Sequence, residues 1–418
     1  MNSIKVANVL GYMARRYGGP PQSMYGLGRA LEDIGVKVSY WATGNSSEHE
    51  DVVASGRNIH LYKTAWPHKW FRSPAMLHDL SRRIKSVDIL HIQGIWSYPQ
   101  CSASRMARRF DIPYLMTPRG VLEPWRIRHK GHLKFIKKII YLGLVGKTML
   151  QNARCLHALA LNEVEGFRKI GYDGPVTVVP NGVNPEDFSH LPNKEEADLR
   201  WPNIKGRRVI LFLSRLSKEK GLDRFLPAFA DIAGRNVYKD VLLVLAGPDL
   251  DGYGNTVKNL INKHKLNKNV LLTGMITGRP KAELISRADI YALPSYSEGF
   301  SMSLLENMAS GTPALITEGC NFPEFARSNA GLCMPCKREA LKEGLIKLLD
   351  MPAGELKAMG RKGRHLVLSN YTWQVAARKM VTVYRCILEG KDVPLNPEPF
   401  INETHDCRIM TKSSEGVA

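Results

Sequence analysis

Short apolar runs rich in β-branched residues recur along the chain, separated by longer stretches of helical periodicity. Residues 4–10, 36–41, 89–92 and 114–117 read as strands buried on both faces, with helices over 22–34 and 101–110 between them. The alternation breaks at a polar stretch, 183–204, which carries Pro185, Pro192 and Pro202. It resumes with apolar runs at 209–213, 241–246, 270–273, 290–293 and 313–317. Two series of βαβ units predict two doubly wound, Rossmann-like α/β domains, over 1–190 and 200–370, with the boundary in the polar stretch. Such domains present the loops at the carboxyl ends of their strands to a cleft between them. An amphipathic helix over 371–388 is expected to complete the first domain, and residues 390–418, rich in Pro, Asn, Thr and Ser, read as a loosely held tail.

Composition is that of a globular protein: 44% of the 418 residues are hydrophobic and 23% charged. The seven cysteines are odd in number and scattered, which points to a reducing compartment rather than a disulfide framework. The opening MNSIKVANVL reads as a first strand, not a secretory signal, and the apolar run 139–145 is too short to span a bilayer. The expected protein is therefore soluble or peripheral. Charge changes the picture more: 59 Lys+Arg against 39 Asp+Glu give +20, so the partners are expected to be anionic. Nucleic acid, a phospholipid surface and phosphorylated substrates all satisfy that requirement. Nucleic acid is disfavoured because no aromatic-interleaved basic segment or known binding module is present.

The candidate chemistry lies in the loops after strands. Glu298 begins the run EGFSMSLLE, between an expected strand and a Leu/Met/Ala-rich helix, and Glu306 lies just over one turn into that helix. The helix start leaves backbone N–H groups of Phe300 to Ser303 for a phosphate, and the two carboxylates can accept hydrogen bonds from sugar hydroxyls. Arg215 and Lys220 bracket the turn SRLSKEKG directly after the strand VILFL, where two cations can hold a diphosphate and neutralise it as it leaves. Gly18 and Gly19 open the helix after the first strand and permit close backbone approach, but they do not form the dinucleotide fingerprint G-x-G-x-x-G. Asp249 and Asp251, the pair Cys333 and Cys336, and the GKT at 146–148 mimic metal, redox and P-loop motifs without their full patterns.

These segments, taken in order, resemble the GT-B retaining glycosyltransferases of family 4. The resemblance rests on YGGPPQS at 17–23, VVPNGVNPEDF at 178–188, SRLSKEKG at 214–221, SEGFSMSLLENMASGTPALIT at 297–317 and CNFPEF at 320–325. DILHIQGIWS at 88–97 and MTPRGVLEPW at 116–125 are similar to the branch that builds bacterial surface polysaccharides. The resemblance implies a GT-B fold and transfer of a hexose from a UDP- or GDP-sugar to a glycan or lipid-linked acceptor, with retention and without metal or other cofactor. It implies that Glu298 meets the donor hexose, that Glu306 binds the ribose and that Arg215 and Lys220 grip the diphosphate. Gly18 and Gly19 would lie under the phosphates. Gly274 and Met275 would line the base pocket, and Gly299, Phe300, Ser301 and Met302 would form the donor loop. The loop 117–120 would face the reacting sugar. Arg119 stands where many relatives carry histidine, Gln93 replaces another family histidine, and Ser301 replaces a glycine. Arginine at 119 suits an electrostatic role rather than proton transfer.

Residues 126–150 contain seven Lys+Arg and no acid. As a helix they would place Leu133, Ile136, Ile140 and Leu144 on one face, with Lys130, Lys134, Lys137 and Lys138 alongside. That pattern suits contact with an anionic membrane, so a cytoplasmic protein peripheral on the inner face of the plasma membrane is expected. The competing readings are a noncatalytic basic membrane- or nucleic-acid-binding protein on the same fold, and a nucleotide-sugar epimerase. The four residues Arg215, Lys220, Glu298 and Glu306 together favour transfer.

Overall fold

The structure, a computed structural model, describes residues 3–14, 19–44, 58–123, 132–250 and 252–399. The chain divides into two compact units: Met1–Gly182 with Trp373–Ala418, and Val183–Thr372.

The first unit is built on seven strands: β1 (Lys5–Leu10), β2 (Lys37–Gly44), β3 (Ile59–Lys63), β4 (Ile89–Gln93), β5 (Tyr114–Thr117), β6 (Cys155–Ala158) and β7 (Val176–Val178). They pair in the order β3-β2-β1-β4-β5-β6-β7, every pair parallel. The interior strands β1, β4 and β5 are buried almost throughout, so both faces must be apolar, which explains their near-continuous hydrophobic runs. Edge strand β3 is only half-buried, and this weaker pattern hid it from the sequence reading. The order reverses between β1 and β4, and the crevice outside the carboxyl ends of strands at such a reversal is where open α/β sheets bind ligands.

The second unit contains β8 (Arg208–Leu213), β9 (Val241–Ala246), β10 (Val270–Gly274), β11 (Ile290–Leu293), β12 (Ala314–Thr317) and β13 (Gly331–Met334). Their order is β10-β9-β8-β11-β12-β13, again all parallel, with the reversal between β8 and β11.

Three expectations about the connections change. The polar stretch 183–204 packs into the second unit instead of hanging between the two. Val183 bridges Thr372, Arg287 pairs with Asp198 at 2.8 Å, and Arg200 with Glu283 at 2.5 Å. The C-terminal helix spans Trp373–Leu388, and Tyr371 stays with the second unit. This helix docks on the helix Gly19–Asp33, where Gly26 makes room: a Cβ there would lie 2.3 Å from the Trp373 ring. Finally, the tail is tied down in part. Leu395 accepts a hydrogen bond from Val178 N at 2.6 Å, covering an edge of β7, and Glu398 accepts one from Thr382 Oγ1. Residues 400–418 lie outside the described residues.

The basic segment is less regular than its charge pattern predicts. An α-helix, His132–Tyr141, passes into a π-helical turn, Leu142–Gly146, and then a short helix, Lys147–Gln151. Gly143 and Gly146 are weak helix formers and lie in the widened turn. No helix among the described residues is long and apolar enough to cross a membrane.

Candidate functional site

The loop after β8 and the loop after β11 leave neighbouring strands at the reversal of the second sheet. After Leu213 the chain makes one 3-10 turn, Lys218–Lys220, and reaches Gly221 at φ 69°. A Cβ at Gly221 would lie 1.9 Å from the carbonyl oxygen of Pro294, so only glycine lets this turn press onto the end of β11. Tyr296 N then donates to Glu219 O at 2.8 Å, joining the two loops. This approach brings Lys220 Nζ to 2.6 Å from Glu298 Oε1, with both side chains under 10% exposed. The loop after β12 completes the seat of Glu298. Its backbone N donates to Gly319 O, Asn321 Nδ2 donates to its carbonyl, and Ser295 Oγ donates to its Oε1.

Phe300 anchors the loop through ring contacts with Phe322 at 5.9 Å and Tyr371 at 6.0 Å. The helix Met302–Ala309 follows, and Ser301 is its N-cap, its hydroxyl accepting from Leu304 N at 3.3 Å. The serine at this position thus gives the helix a capping oxygen that a glycine could not. Glu306, one turn in, pairs with Lys281 at 2.6 Å, a residue of the helix Gly278–Arg287. Arg215 is half-exposed and pairs with Glu219 at 3.1 Å. The two expected diphosphate cations therefore differ: Lys220 is a buried ion-pair member, and Arg215 is a surface group with its own carboxylate. Gly274 ends β10 and Met275 beside it is exposed.

In the first unit, Gly19 begins the helix Gly19–Asp33 with open space where a Cβ would stand, and Gly18 lies outside the described residues. Arg119, two residues beyond β5, donates from Nε to Gln93 Oε1 at 2.9 Å and from Nη1 to Ser23 Oγ at 2.8 Å. Beneath it runs a buried relay that the sequence reading did not find. His157 Nε2 faces Val179 O at 2.7 Å and must carry a proton, so its Nδ1 accepts from the Thr117 hydroxyl at 2.8 Å. Thr117 Oγ1 in turn accepts from His91 Nε2 at 2.6 Å, and His91 Nδ1 accepts from the Tyr384 hydroxyl at 2.9 Å. Both imidazoles are thereby fixed as neutral tautomers. Burial holds His91 well below the usual histidine range and His157 down at about 4. The relay ties β4, β5 and β6 to the C-terminal helix.

Of the expected membrane lysines, Lys130 lies outside the described residues, as does the side chain of Lys134. Lys137 is exposed, but Lys138 lies over the Trp96 ring, 5.5 Å from its centroid, and is not turned wholly to solvent. The apolar residues beside them are exposed: Ile136 51%, Ile139 47%, Ile140 55% and Leu144 76%. Ile139 joins this surface although it is off the predicted face.

Two family profiles match the chain: "Glycosyltransferase Family 4" over residues 17–187 and "Glycosyl transferases group 1" over 193–366. Among curated proteins, the chain is 32% identical over 208 residues to the MMP alpha-(1->4)-mannosyltransferase of Mycolicibacterium hassiacum, covering 48% of this chain and 49% of that one. It is 26% identical over 371 residues to the phosphatidyl-myo-inositol mannosyltransferase of Mycobacterium leprae, covering 84% and 88%. The chain spans about half the length of the first of these relatives. HepE of Anabaena, solved in complex with UDP and glucose, superposes with a TM-score of 0.74 at 13% identity over 90% of this chain and 98% of that one. Two all-parallel α/β units, two family profiles in succession and this structural likeness agree, and the chain belongs to the group 1 glycosyltransferases of the GT-B fold.

Proposed function

We propose that this protein is a retaining glycosyltransferase that moves a hexose from a UDP- or GDP-sugar to a glycan or lipid-linked acceptor in surface polysaccharide synthesis. The observation that carries the reading is the buried Lys220–Glu298 pair at the reversal of the second sheet, beside the start of the helix Met302–Ala309. A fixed cation, a fixed carboxylate and a helix N-terminus meet there, which is what a sugar linked to a diphosphate demands. Lys220 and Arg215 meet the charge that develops on the departing diphosphate, so the reaction proceeds without a metal ion. Glu298 faces the hexose, and Glu306, held by Lys281, accepts from the ribose hydroxyls. The bond from the anomeric carbon to the phosphate oxygen breaks as the acceptor oxygen bonds on the same face. The acceptor's proton passes to the leaving phosphate. The two curated relatives are named as mannosyltransferases, which makes mannose the first donor sugar to try.

Membrane contact belongs to the same proposal. The exposed isoleucines and Leu144, flanked by Lys137 and Lys147, form an apolar patch with a basic rim, suited to the anionic inner face of the plasma membrane where a lipid-linked acceptor would lie.

The test is thermal-shift titration with UDP, GDP, ADP and their sugars, in chelator and in magnesium, for the wild type and Glu306→Ala. Stabilisation by one nucleotide class in chelator, weakened in the variant, is the expected result. Stabilisation only in magnesium overturns metal independence, and none by any nucleotide overturns the donor site. The anomeric signal of the first product, followed by NMR, decides retention.

A further inference from the structure

The first sheet has a reversal of its own between β1 and β4, and a cation stands at its carboxyl edge. Arg119 has φ 62° and Gly120 follows at 71°. A non-glycine residue in this region is strained, and such strain persists where the surroundings over-determine it. Here they do. Thr117, two residues earlier, is locked in the histidine relay, while Gln93 at the end of β4 and Ser23 on the helix Gly19–Asp33 hold the guanidinium from two further elements.

Among the described residues, the groups that hydrogen-bond Arg119 are neutral. Tyr12 and Glu163 act on it through space. A guanidinium offers five N–H groups, and its hydrogen bonds among the described residues use two of them. Burial pushes its pKa down to about 10, so the group stays charged at neutral pH. A partly buried cation held by neutral groups is costly to the fold alone, and the cost is recovered when an oxyanion makes charge-assisted, two-pronged bonds to it.

We propose that Arg119 forms an oxyanion subsite of the first unit, taking a carboxylate or phosphate carried by a sugar substrate, with Gln93 and Ser23 as positioning residues. That the oxyanion is borne by a sugar rests on the glycosyl-transfer reading; the subsite itself rests on the geometry. Specificity would then reside in charge: neutral sugars gain nothing from Arg119, and acidic or phosphorylated ones do.

Thermal shift of the full chain tests this with glucuronate, glucose 1-phosphate and glucose as probes, at matched ionic strength, with UDP and GDP run in parallel. The variants are Arg119→Gln and Gln93→Glu; the latter keeps the arginine but gives it an internal carboxylate. The wild type should respond to the two acidic sugars by about 3–5 °C at tenfold over Kd, and not to glucose. Both variants should lose at least tenfold in apparent affinity for them. If the nucleotide response survives in both variants, the oxyanion belongs to the sugar; if it is lost too, the oxyanion is the nucleotide's own phosphate. Acidic-sugar responses unchanged in both variants, or matched by glucose, overturn the subsite. An Arg119-dependent acidic-sugar response with no nucleotide response in the wild type keeps the subsite and sinks the donor reading.

Discussion

Replacing Glu298 with glutamine keeps the shape of the side chain and removes one charge from a pair whose atoms lie 2.6 Å apart. At an effective dielectric near 20, that separation gives a gross attraction of about 6 kcal/mol. Desolvation of two ions, several kcal/mol each, takes most of this back, so the intact pair is roughly neutral against an apolar isostere. Breaking it is different. Lys220 then remains buried with its charge, a cost of about 3–5 kcal/mol, toward the lower end because an amide oxygen can still accept from Ser295. For a unit of this size that corresponds to a fall of about 6–20 °C in melting temperature. Lys220→Met should cost a similar amount by stranding the carboxylate. The double variant Glu298→Gln/Lys220→Met should cost only about 1 kcal/mol against a sum of at least about 6 for the singles, a coupling of about 5 kcal/mol, because neither site then holds an unpaired buried charge. Hydrogen exchange of β8 and β11 amides across a urea series, read by mass spectrometry, reports on this unit alone. Single variants costing under about 1 kcal/mol would mean the pair is solvated. A double variant as unstable as the sum of the singles would mean the two groups do not depend on each other, and the reasoning fails.

Three further outcomes are expected. His157 stays neutral in the fold down to about pH 4, whereas an unfolded histidine protonates near 6.5, so acid favours the unfolded chain. Stability of the first unit is full above pH 6.5 and falls by about 3 kcal/mol toward pH 4; His157→Asn should flatten this slope in urea unfolding, and an unchanged slope would remove the histidine from the account. Gly221→Ala forces a Cβ against Pro294 O and adds about 1–2 kcal/mol of left-handed backbone strain, so it should separate the two loops and cut nucleotide affinity, measured by calorimetry. Lys137→Glu with Ile140→Glu changes only exposed positions and should leave stability intact while reducing co-sedimentation with phosphatidylglycerol vesicles by tenfold or more; undiminished binding would return this surface to ordinary solvent exposure.

The periodicity of the chain determined most of the strands, the burial of the central ones on both faces and hence the parallel, doubly wound class, because a strand such as VLLVLA has no polar face to offer water, while short or half-buried strands such as β3, β6, β7 and β13 left no such mark. It also located the loops bearing Arg215, Lys220, Glu298 and Glu306, since strand ends can be read from local pattern alone. Tertiary structure decided which of these side chains meet. Lys220 rather than Arg215 pairs with Glu298, 78 residues away in the chain, because β8 and β11 are neighbours in the sheet and Gly221 lets their loops close. Lys281 is one basic residue among many in the sequence, and only the placement of two helices brings it to Glu306. The stretch 183–204 looked like a linker because its polar residues carry no period. Its charges are satisfied by Glu283 and Arg287, which local pattern cannot anticipate. The relay from Val179 to Tyr384 likewise joins His91 to a residue 293 positions away. Burial of apolar surface is written residue by residue along the chain, whereas a buried polar group needs one particular partner, and sheet order and crossing helices choose that partner.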